Sequence, residues 1–517
     1  MSLAFQVDGR AVEVADDGAS LLEVLRDRLG LRSPKDGCSP QGQCGCCTVL
    51  VDGQARVACV TPARRVAGRV VTTLDGMPES DRLAWAGALA DCGASQCGFC
   101  TPGIIVRLAA LHAAGRGSDK DVDTALLAHL CRCTGWNTIK EAFTRVAGDT
   151  GSTPSAAPRD LDAAGRRASM EGGAPQQVGA HVALGAAGFA DDTAPLDALV
   201  AVPDGAGGWA VAETLTGARA LAGKVQGRRS TIGLSHPLEI PPGPWDFTLR
   251  TTWIEPAYLE PDASWCVPGG EPASPVANGG AFGGKTSSVA PAAARRLADE
   301  HGRAVRVLLS REDVVRLGPK RPPVAGGIRS DGTGVLRVVR TPGAAEAVHS
   351  VAPGLVVEEV DVAGPPTSMA PRAAGWAEAA VLLAAARNHA RSTVTAPSGA
   401  RADAEVAAGG SVRVRVSCGD PLDEVVLRSF CIGAAHMALG WVRREGIAVD
   451  AEGVPHDLTI RSFGVLRAAD MPAVTVEIED AAGPPVNVSD AVFAAVAAAA
   501  WRADGYPPDW PTHRGAR

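Results

Sequence analysis

The chain has 517 residues, enough for roughly three domains of ordinary size, so its length alone excludes no class of protein. With 46% hydrophobic residues, a formal net charge of -7 and only two tyrosines, it lacks the basic surface and the aromatic platforms of nucleic-acid-binding proteins. No apolar run approaches the roughly 20 residues that cross a bilayer, because the longest, Val492 to Trp501, has about ten and is mostly alanine. We therefore expect a soluble globular protein without a nucleic-acid partner or a membrane span.

The N-terminal residues predict a small domain of strands and one helix. Ala4 to Val7 and Ala11 to Val14 flank Asp8-Gly9, which is a strong hairpin signal. Ser20 and Glu23 form a capping box that opens a helix over SLLEVLRDRL. Two later segments have the apolar pattern of strands, Thr48 to Asp52 and Arg69 to Thr73.

The rest of the chain changes character twice. Residues 78 to 147 have helical spacing, in RLAWAGAL, IIVRLAALHAA and VDTALLAHL. Between Gly148 and Gly173 the sequence is rich in Gly, Ser, Ala and Pro without an apolar period, which is typical of a linker. From Val178 onward short apolar strands alternate with Ala-rich helices, a mixed α/β pattern without repeats.

The distribution of the 13 cysteines indicates metal binding, because ten of them precede residue 134. The start of the chain alternates like a strand and lacks the basic residues and apolar stretch of a signal peptide, which predicts a cytoplasmic protein. In a reducing cytosol such a cluster of thiols is not a disulfide framework. The three remaining cysteines show no ligand spacing and are expected to be core thiols: Cys266, Cys418 and Cys431.

The first cysteine set lies in GCSPQGQCGCCT, which begins at Gly37, and is completed beyond the next strand. Four thiolates hold a 2Fe-2S cluster, and a Gly-rich loop lets backbone N–H groups turn inward toward the sulfides. The plant-type ferredoxin pattern is C-x4-C-x2-C with a distant fourth cysteine; here the first gap is five residues, whereas Cys44 and Cys47 keep the second spacing. The expected ligands are Cys38, Cys44, Cys47 and Cys59, with Cys46 left over.

The second cysteine set combines CGFC with a CRC motif two predicted helices later. Such a pair can wrap one small cluster between helix ends, where N–H dipoles stabilise its negative charge. The alternative for either set is zinc, which also takes four thiolates but usually uses two similar C-x2-C knuckles, unlike the unequal spacings here. The expected ligands are Cys97, Cys100, Cys131 and Cys133, and Cys92 is spare.

GCSPQGQCGCCTVLVDG, and QCGFCTPGII followed by LCRCTGW, resemble the two-cluster iron–sulfur domain of the xanthine dehydrogenase and aldehyde oxidase family of molybdenum hydroxylases. The resemblance implies an α+β multidomain protein. Its parts would be a β-grasp ferredoxin-like 2Fe-2S domain over residues 1–76, a helical-bundle 2Fe-2S domain over 77–147, and a linker over 148–174. It also implies that the bundle cluster lies nearer the molybdenum cofactor and the ferredoxin-like cluster faces the outgoing acceptor. Gln96 stands where family members touch the pterin, and an ordinary turn residue is the alternative.

The second half contains GGAFGGKT, Gly279 to Thr286, which satisfies the phosphate-binding pattern of NTPases. That motif needs a hydrophobic strand before the loop and a helix after it, but the preceding CVPGGEPASPVAN is loop-like and Pro291 follows soon, so we do not expect NTP binding. The same residues resemble the GGGFGGK-type loop of the family's molybdopterin domain, and later segments resemble that domain in order. Residues 175–517 are therefore expected to be a shortened, truncated α/β molybdopterin-domain-like region.

This region matches the family's cofactor site only in part. Phe282 and Arg372 stand where the family places active-site residues. The family's catalytic base, a glutamate before a Pro-Pro pair, is replaced within Asp480 to Pro485 by Gly483, which cannot accept a proton. A Gln-containing segment that helps hold the cofactor corresponds to Val426 to Gly433, which has no Gln.

Two other carboxylates, Glu378 and Glu479, are candidate substitute bases, and we expect each to be a lone exposed side chain. General-base catalysis is often worth roughly 100-fold to 10,000-fold, so a site without its base should retain little hydroxylation activity.

These features predict an iron–sulfur electron-transfer subunit of a multi-subunit molybdenum hydroxylase, in which partner chains carry the molybdenum centre and the flavin. Fused family members place a flavin domain where this chain has only the short linker, so FAD is expected on a partner. Molybdopterin could bind this chain but is expected on the catalytic partner, with residues 175–517 serving as a docking module. The alternatives are a self-contained molybdopterin hydroxylase of an aldehyde or N-heterocycle, and a non-catalytic structural or assembly subunit.

Overall fold

The computed structural model describes residues 2–148, 159–223, 232–274, 279–387, 389, 391–479 and 482–513. Its first sheet has five strands in the order β2-β1-β5-β3-β4: β1 (Ser2–Val7), β2 (Arg10–Ala15), β3 (Thr48–Val51), β4 (Gln54–Val57) and β5 (Val70–Thr72). The predicted hairpin is confirmed, because Val7 pairs with Arg10 across Asp8 and Gly9, which both have positive φ. β5 lies parallel to β1 and antiparallel to β3.

The helix after β2 begins at the predicted cap. The Ser20 side chain accepts a hydrogen bond from the Glu23 N–H at 3.2 Å, and α1 (Leu21–Glu23) continues as a π-helical turn over Val24–Arg28. The Glu23 carboxylate does not return to Ser20, but accepts hydrogen bonds from the backbone N–H and hydroxyl of Thr216 at 3.3 and 2.6 Å. The capping box is therefore only half formed, because its acid connects this domain to the second half.

Four helices follow, as the helical spacing predicts: α2 (Glu79–Asp91), α3 (Thr101–Ala113), α4 (Asp119–Ala125) and α5 (Asn137–Ala147). α2 packs against α5, where Trp85 and Phe143 have ring centroids 6.0 Å apart. Ser118 and Asp121 form a complete capping box at the start of α4.

The stretch expected to be a linker contains a buried helix, α6 (Leu161–Gly172). Arg167 is fully buried and donates hydrogen bonds to the carbonyls of Asp420 and Val486 and to the Glu171 carboxylate. Glu171 in turn accepts from the Ser489 N–H at 2.9 Å. The composition indicated a linker because these partners lie hundreds of positions away in the sequence.

The second half is a mixed α/β structure with three four-stranded sheets. The sheets have the orders β7-β6-β10-β9, β13-β12-β11-β8 and β14-β15-β16-β17. The strands are β6 (Leu199–Pro203), β7 (Trp209–Ala212), β8 (Phe247–Arg250), β9 (Ala263–Cys266), β10 (Val305–Leu308), β11 (Val324–Ile328), β12 (Gly334–Val339), β13 (Leu355–Val360), β14 (Ser392–Thr395), β15 (Arg401–Val406), β16 (Val412–Ser417) and β17 (Val474–Ile478). The helices are α7 (Ala180–Ala183), α8 (Leu215–Ala222), α9 (Ala290–His301), α10 (Arg311–Leu317), α11 (Ala344–His349), α12 (Trp376–Arg387), α13 (Glu424–Arg443) and α14 (Ser489–Ala503).

Helix α13 is the central helix of the second half and packs against α14, where Trp441 stacks on Phe493. By length and composition it could cross a membrane, but 89% of its most apolar stretch of 18 residues is buried inside the protein. Sequence inspection missed it because Arg428 and His436 interrupt the apolar run. Its burial fits a core helix.

The two halves share one core, because the second half packs directly on the cysteine-bearing loops. The Gln41 side chain exchanges hydrogen bonds with the Leu458 carbonyl and the Ile460 N–H. Trp136 is fully buried, and its indole N–H donates to the Leu466 carbonyl at 3.1 Å. The second half thus covers much of the predicted iron–sulfur region.

Candidate functional site

The first cysteine set is assembled by one loop and one short turn. Cys38, Cys44 and Cys47 lie on the loop before β3, and Cys59 lies on a 3₁₀ turn, Ala58–Val60, that follows β4. All four side chains are at most 5% exposed. The loop turns back on itself because Gly42 and Gly45 adopt positive φ, which suits glycine.

Backbone N–H groups point at these sulfurs. The N–H groups of Gln41 and Gln43 donate to the Cys38 Sγ at 3.3 and 3.4 Å, and the Cys59 N–H donates to the Cys47 Sγ at 3.4 Å. Hydrogen bonds from the Cys44 and Cys59 thiols lower the pKa of Cys38, and the pKa values of those two thiols rise in response. The four predicted thiols therefore converge, with donors arranged for a thiolate set.

The second cysteine set lies between helix ends. Cys100 precedes the first residue of α3, Cys97 is three residues earlier, and Cys131 and Cys133 lie on the loop before α5. The Cys97 and Cys133 sulfurs are 3.5 Å apart. Hydrogen bonds from the Cys100 and Cys133 thiols lower the pKa of Cys131, whose sulfur also contacts the Thr134 hydroxyl at 3.2 Å. The unequal motifs thus meet in one place.

Both sets suit a binuclear cluster in their chemistry. Each offers four thiols, which is the ligand number of a 2Fe-2S cluster, together with N–H groups that can stabilise anionic sulfur. No three His, Cys, Asp or Glu side chains in the described part of the chain are arranged around one metal ion.

The two leftover cysteines occupy different places. Cys46 is fully buried, and burial raises its pKa, which also responds to charge on Cys38, Cys47 and Cys131. A Cβ at Gly37, in the first cysteine loop, would lie 3.1 Å from the Cys46 sulfur, and a Cβ at Gly103, in α3, would lie 2.9 Å from the Cys46 carbonyl. Cys92 is partly exposed at the end of α2, and burial raises its pKa as well.

The two cysteine loops touch each other directly. The Leu130 N–H donates to the Cys44 carbonyl at 3.0 Å. A Cβ at Gly45 would overlap the ring of His129, and a Cβ at Gly103, in the first turn of α3, would overlap the Gly45 carbonyl. Burial lowers the pKa of His129 to about 3, so this side chain is neutral in the folded protein. Electrons could therefore pass between the sites without crossing solvent.

Phe282 and Arg372, two of the residues expected on the molybdopterin side, pack against each other. The Arg372 guanidinium lies 4.0 Å from the centroid of the Phe282 ring, and its Nη2 donates to the Ser489 hydroxyl at 2.9 Å. Asp490 is the ionic partner of Arg372, at 3.1 Å from its Nε. Thus both terminal nitrogens of Arg372 already have protein partners, Met437 and Ser489, whereas its Nε lies at ion-pair distance from Asp490 without forming a hydrogen bond.

The Gln96 side chain also forms its contacts within the protein. Its amide nitrogen donates to the Ser429 hydroxyl at 2.9 Å and lies 3.3 Å from the Cys133 carbonyl, whereas its amide oxygen is buried without a hydrogen-bond partner. Ser429 belongs to the α13 segment that resembles the family's cofactor-binding stretch. A Cβ at Gly433, one turn further, would overlap the Cys133 carbonyl, so α13 lies against the bundle-cluster loop.

The two candidate bases differ from each other. Glu378 is buried rather than exposed, so that expectation was wrong: it pairs with the Arg321 guanidinium at 2.7 and 2.8 Å. Glu479 is exposed beside Arg415, as expected. Asp480 lies outside the described residues. With Gly483 in place of the glutamate and Arg372 already paired, the residues present do not fit a molybdopterin cofactor.

The lysine of the NTPase-like motif already has a partner within the protein. Lys285, which would have to reach a phosphate, is buried and donates to the Glu260 carboxylate at 2.9 Å. Part of the sequence before the motif, residues 275–278, lies outside the described residues. The pairing of Lys285 agrees with the expectation that this loop does not bind NTP.

Sequence reasoning missed one group beside the first cysteine set. Arg311, the first residue of α10, is fully buried and donates from Nη2 to the Gly37 carbonyl at 2.7 Å and the Leu259 carbonyl at 2.8 Å. Its position in the sequence, 274 residues from Gly37, gives no sign of this contact.

Family models agree with these sites. A 2Fe-2S iron-sulfur cluster binding domain matches residues 5–68, and a [2Fe-2S] binding domain matches residues 73–144. The three relatives described next are each matched over about a quarter of this chain.

Three bacterial relatives are matched over most of their length. A probable xanthine dehydrogenase subunit of Bacillus subtilis is 37% identical over 27% of this chain and 82% of its own length. A nicotinate dehydrogenase subunit of Pseudomonas putida is 40% identical over 28% and 94%. The xanthine dehydrogenase iron-sulfur-binding subunit of Escherichia coli O157:H7 is 42% identical over 24% and 78%. By contrast, the match covers only 12% of the xanthine dehydrogenase of Drosophila pseudoobscura pseudoobscura.

The whole fold also has solved counterparts. The aldehyde oxidoreductase from Desulfovibrio gigas aligns over 99% of both chains with a TM-score of 0.71 and 16% identity. The enzyme from Desulfovibrio desulfuricans aligns over 99% of both chains with a TM-score of 0.72 and 15% identity. At this identity the likeness concerns the mixed α/β multidomain fold. The cysteine-bearing domains and the relatives that share them show that the chain is an oxidoreductase and belongs to the xanthine dehydrogenase and aldehyde oxidase family of molybdenum hydroxylases.

Proposed function

We propose that this chain is the iron–sulfur electron-transfer subunit of a multi-subunit, cytoplasmic molybdenum hydroxylase. It would relay electrons from a molybdenum centre on a catalytic partner to flavin or another acceptor on a second partner. The observation that carries this proposal is a contrast within one chain. Two four-thiol sets touch each other through their loops, whereas Phe282 and Arg372 on the cofactor side are packed against each other.

The thiols would act as the ligands of the two clusters. Cys38, Cys44, Cys47 and Cys59 would hold the ferredoxin-like cluster on a β-grasp domain, residues 1–76. A cluster supplies a one-electron carrier when it is bound. The chain's own part is to hold the thiolates, to donate N–H groups to the sulfurs, and to exclude water by burying both loops.

The bundle domain, residues 77–147, would hold the other cluster on Cys97, Cys100, Cys131 and Cys133. Cys97 is the most exposed of these four ligands, and the remaining three are at most 5% exposed. The Cys97 side is therefore the natural point of entry for electrons from a separate catalytic subunit, since α13 covers the Cys133 side.

Residues 175–517 would serve as a docking module for the catalytic subunit, with molybdopterin and FAD bound by the partners. The named relatives support a subunit role, because three of them are described as subunits of xanthine or nicotinate dehydrogenases. The buried Arg321–Glu378 pair supports it too, since both oxygens of this carboxylate already accept hydrogen bonds from the Arg321 guanidinium.

Metal and flavin analysis of the native complex, followed by separation of its chains, tests the proposal. We expect about four Fe and no Mo on this chain, with Mo and flavin on others. About four Fe together with one Mo on this chain would overturn the proposal in favour of a self-contained hydroxylase of an aldehyde or N-heterocycle. The absence of both Fe and Mo from this chain would also overturn the proposal and would indicate a structural or assembly subunit.

Reconstitution provides a second test. A C100S chain should stop electron transfer from substrate to acceptor in the assembled complex, while the catalytic subunit is still reduced by its substrate. The matched control is C266S, at a buried thiol in β9 remote in sequence from both sets, which should sustain turnover.

A further inference from the structure

Ten lysine and arginine side chains are buried in the described part of the chain, and Arg311 differs from the others in its electrostatics. The other nine each have a carboxylate within ion-pair distance. No such carboxylate lies beside Arg311 among the described residues, and its Nε and Nη1 have no hydrogen-bond partner. A buried cation without a counter-charge is costly, so its presence calls for an anion nearby.

Within the described part of the chain, Arg311 donates hydrogen bonds to two carbonyls, and one of them belongs to the first cysteine loop. Its Nη2 lies 2.7 Å from the oxygen of Gly37, the residue before Cys38. The Gly37 Cα also adjoins the sulfurs, because a Cβ built there would lie 3.0 Å from the Cys44 Sγ and 3.1 Å from the Cys46 Sγ. The guanidinium therefore contacts the backbone of the residue that immediately precedes the ligand Cys38.

The other charged groups near this loop are already paired. Asp36 lies 3.5 Å from Arg219, and Lys35 forms an ion pair with Asp192. Tyr258 packs its ring 5.7 Å from the Arg311 guanidinium, and its hydroxyl donates to Asp262. Among the described residues, Arg311 is thus the buried cation beside this loop that has no carboxylate within ion-pair distance.

We propose that Arg311 is the counter-charge of the ferredoxin-like cluster and raises its reduction potential, which places a redox-tuning residue in the molybdopterin-like half. The inference rests on the proposed function, because it requires a cluster on the first cysteine set. A cluster held by four thiolates is anionic when oxidised and gains one further negative charge on reduction. A fixed cation in a low-dielectric interior therefore favours the reduced state.

This role does not involve proton transfer or contact with a substrate. Arg311 acts through the cluster: it is a positioning residue whose fixed positive charge changes the reduction potential. A purely structural residue would change folding or cluster content but would not move the potential of one cluster selectively.

The test is a redox titration of the cluster-loaded full chain, followed by EPR. R311Q removes the charge and keeps a polar, uncharged side chain at this position. We expect the equilibrium constant for reduction of the ferredoxin-like cluster to fall about tenfold, which is about 59 mV for one electron, with the bundle cluster unchanged. Loss of the ferredoxin-like cluster itself, in folded protein, would mark a structural role for Arg311 and would overturn the proposal. An unchanged potential at full signal intensity would overturn it.

R311K decides the matter if R311Q does not fold. Lysine keeps the charge and loses the planar guanidinium, so the equilibrium constant for reduction of the ferredoxin-like cluster should remain within about threefold of its value in the unaltered protein. A fall of about tenfold in that constant would overturn the proposal. The control is R295Q, which removes a partly exposed arginine that donates to the Gly270 carbonyl and should move neither potential. Failure of the proposed function is distinguishable: a chain without the clusters would show no EPR signal before any substitution, and Mo on this chain would overturn the subunit role without changing the comparison of R311Q with the unaltered protein.

Discussion

Arg132 donates hydrogen bonds from both terminal nitrogens to the Glu445 carboxylate, at 2.6 and 2.9 Å, inside the protein. The two side chains are 5% and 2% exposed, and the pair connects the CRC motif to the second half. Arg132 also donates from Nε to the Pro256 carbonyl at 3.0 Å, which fixes the guanidinium plane.

Replacing one member of this pair should destabilise the whole chain. R132M leaves the Glu445 carboxylate buried and unpaired, so we expect a loss of about 3–5 kcal/mol in the free energy of unfolding, measured by chemical denaturation. The double variant R132M/E445M removes both charges and should recover much of that loss. R340M, which breaks an exposed pair with Asp361, is the control and should leave the midpoint unchanged.

The ligand assignment predicts a selective spectroscopic change. C131S should abolish one of two reduced-cluster EPR signals and lower iron from about four to about two per chain, because each cluster needs all four thiolates. C92S removes the partly exposed cysteine outside both sets and should preserve both signals. If both signals survived in C131S, Cys131 would not be a ligand.

The contact between α13 and the bundle-cluster loop can be tested with a pair of glycines. G433A places a methyl group against the Cys133 carbonyl, so we expect a loss of roughly 1–3 kcal/mol in stability and a perturbed bundle-cluster signal. G87A, in the middle of α2, has no atom within 4 Å of the new Cβ and should be neutral or stabilising by up to about 1 kcal/mol. Equal effects in the two variants would contradict the close approach.

Acid should weaken the fold through His436, which is fully buried in α13. Burial lowers its pKa below the usual 6.5, although a hydrogen bond between Nε2 and the Leu466 carbonyl, at 3.0 Å, works in the opposite direction. The unfolded chain therefore binds more protons than the folded one below about pH 6.5, and stability is lost as the pH falls from there toward the lowered pKa.

H436Q should consequently lose less stability than the unaltered chain between pH 7 and pH 5, by at most about 1.4 kcal/mol for each pH unit. Thermal unfolding at a series of pH values measures this difference. H349Q controls for loss of an imidazole at an exposed position. Parallel pH profiles for H436Q and the unaltered chain would show that His436 does not contribute.

The parts of this protein that sequence predicts well are those whose partners are local or whose chemistry is rare. Asp8-Gly9 specifies its hairpin from two residues, and the cysteine sets stand out because thiols at such spacings have few other uses. The half-formed capping box shows the limit of local reasoning, since Glu23 satisfies Thr216 instead of Ser20.

The parts that sequence did not predict depend on contacts between distant segments. Glu378 looks like any surface glutamate until Arg321, 57 positions away, is placed beside it. Arg167 makes a Gly- and Ala-rich stretch into a buried helix because it satisfies the Asp420 carbonyl, 253 positions away. Arg311 belongs to the same class, and no local pattern would have distinguished it from the other arginines of the second half.

The hydrogen bond from the Leu130 N–H to the Cys44 carbonyl has a further consequence once both clusters are bound. Leu130 is covalently joined to Cys131, so one route between the expected ligand residues Cys44 and Cys131 consists of covalent bonds and a single hydrogen bond. If both clusters are bound as proposed, electron transfer along this route would need neither a moving domain nor an ordered water. Its rate would then depend on the two cysteine loops staying in contact.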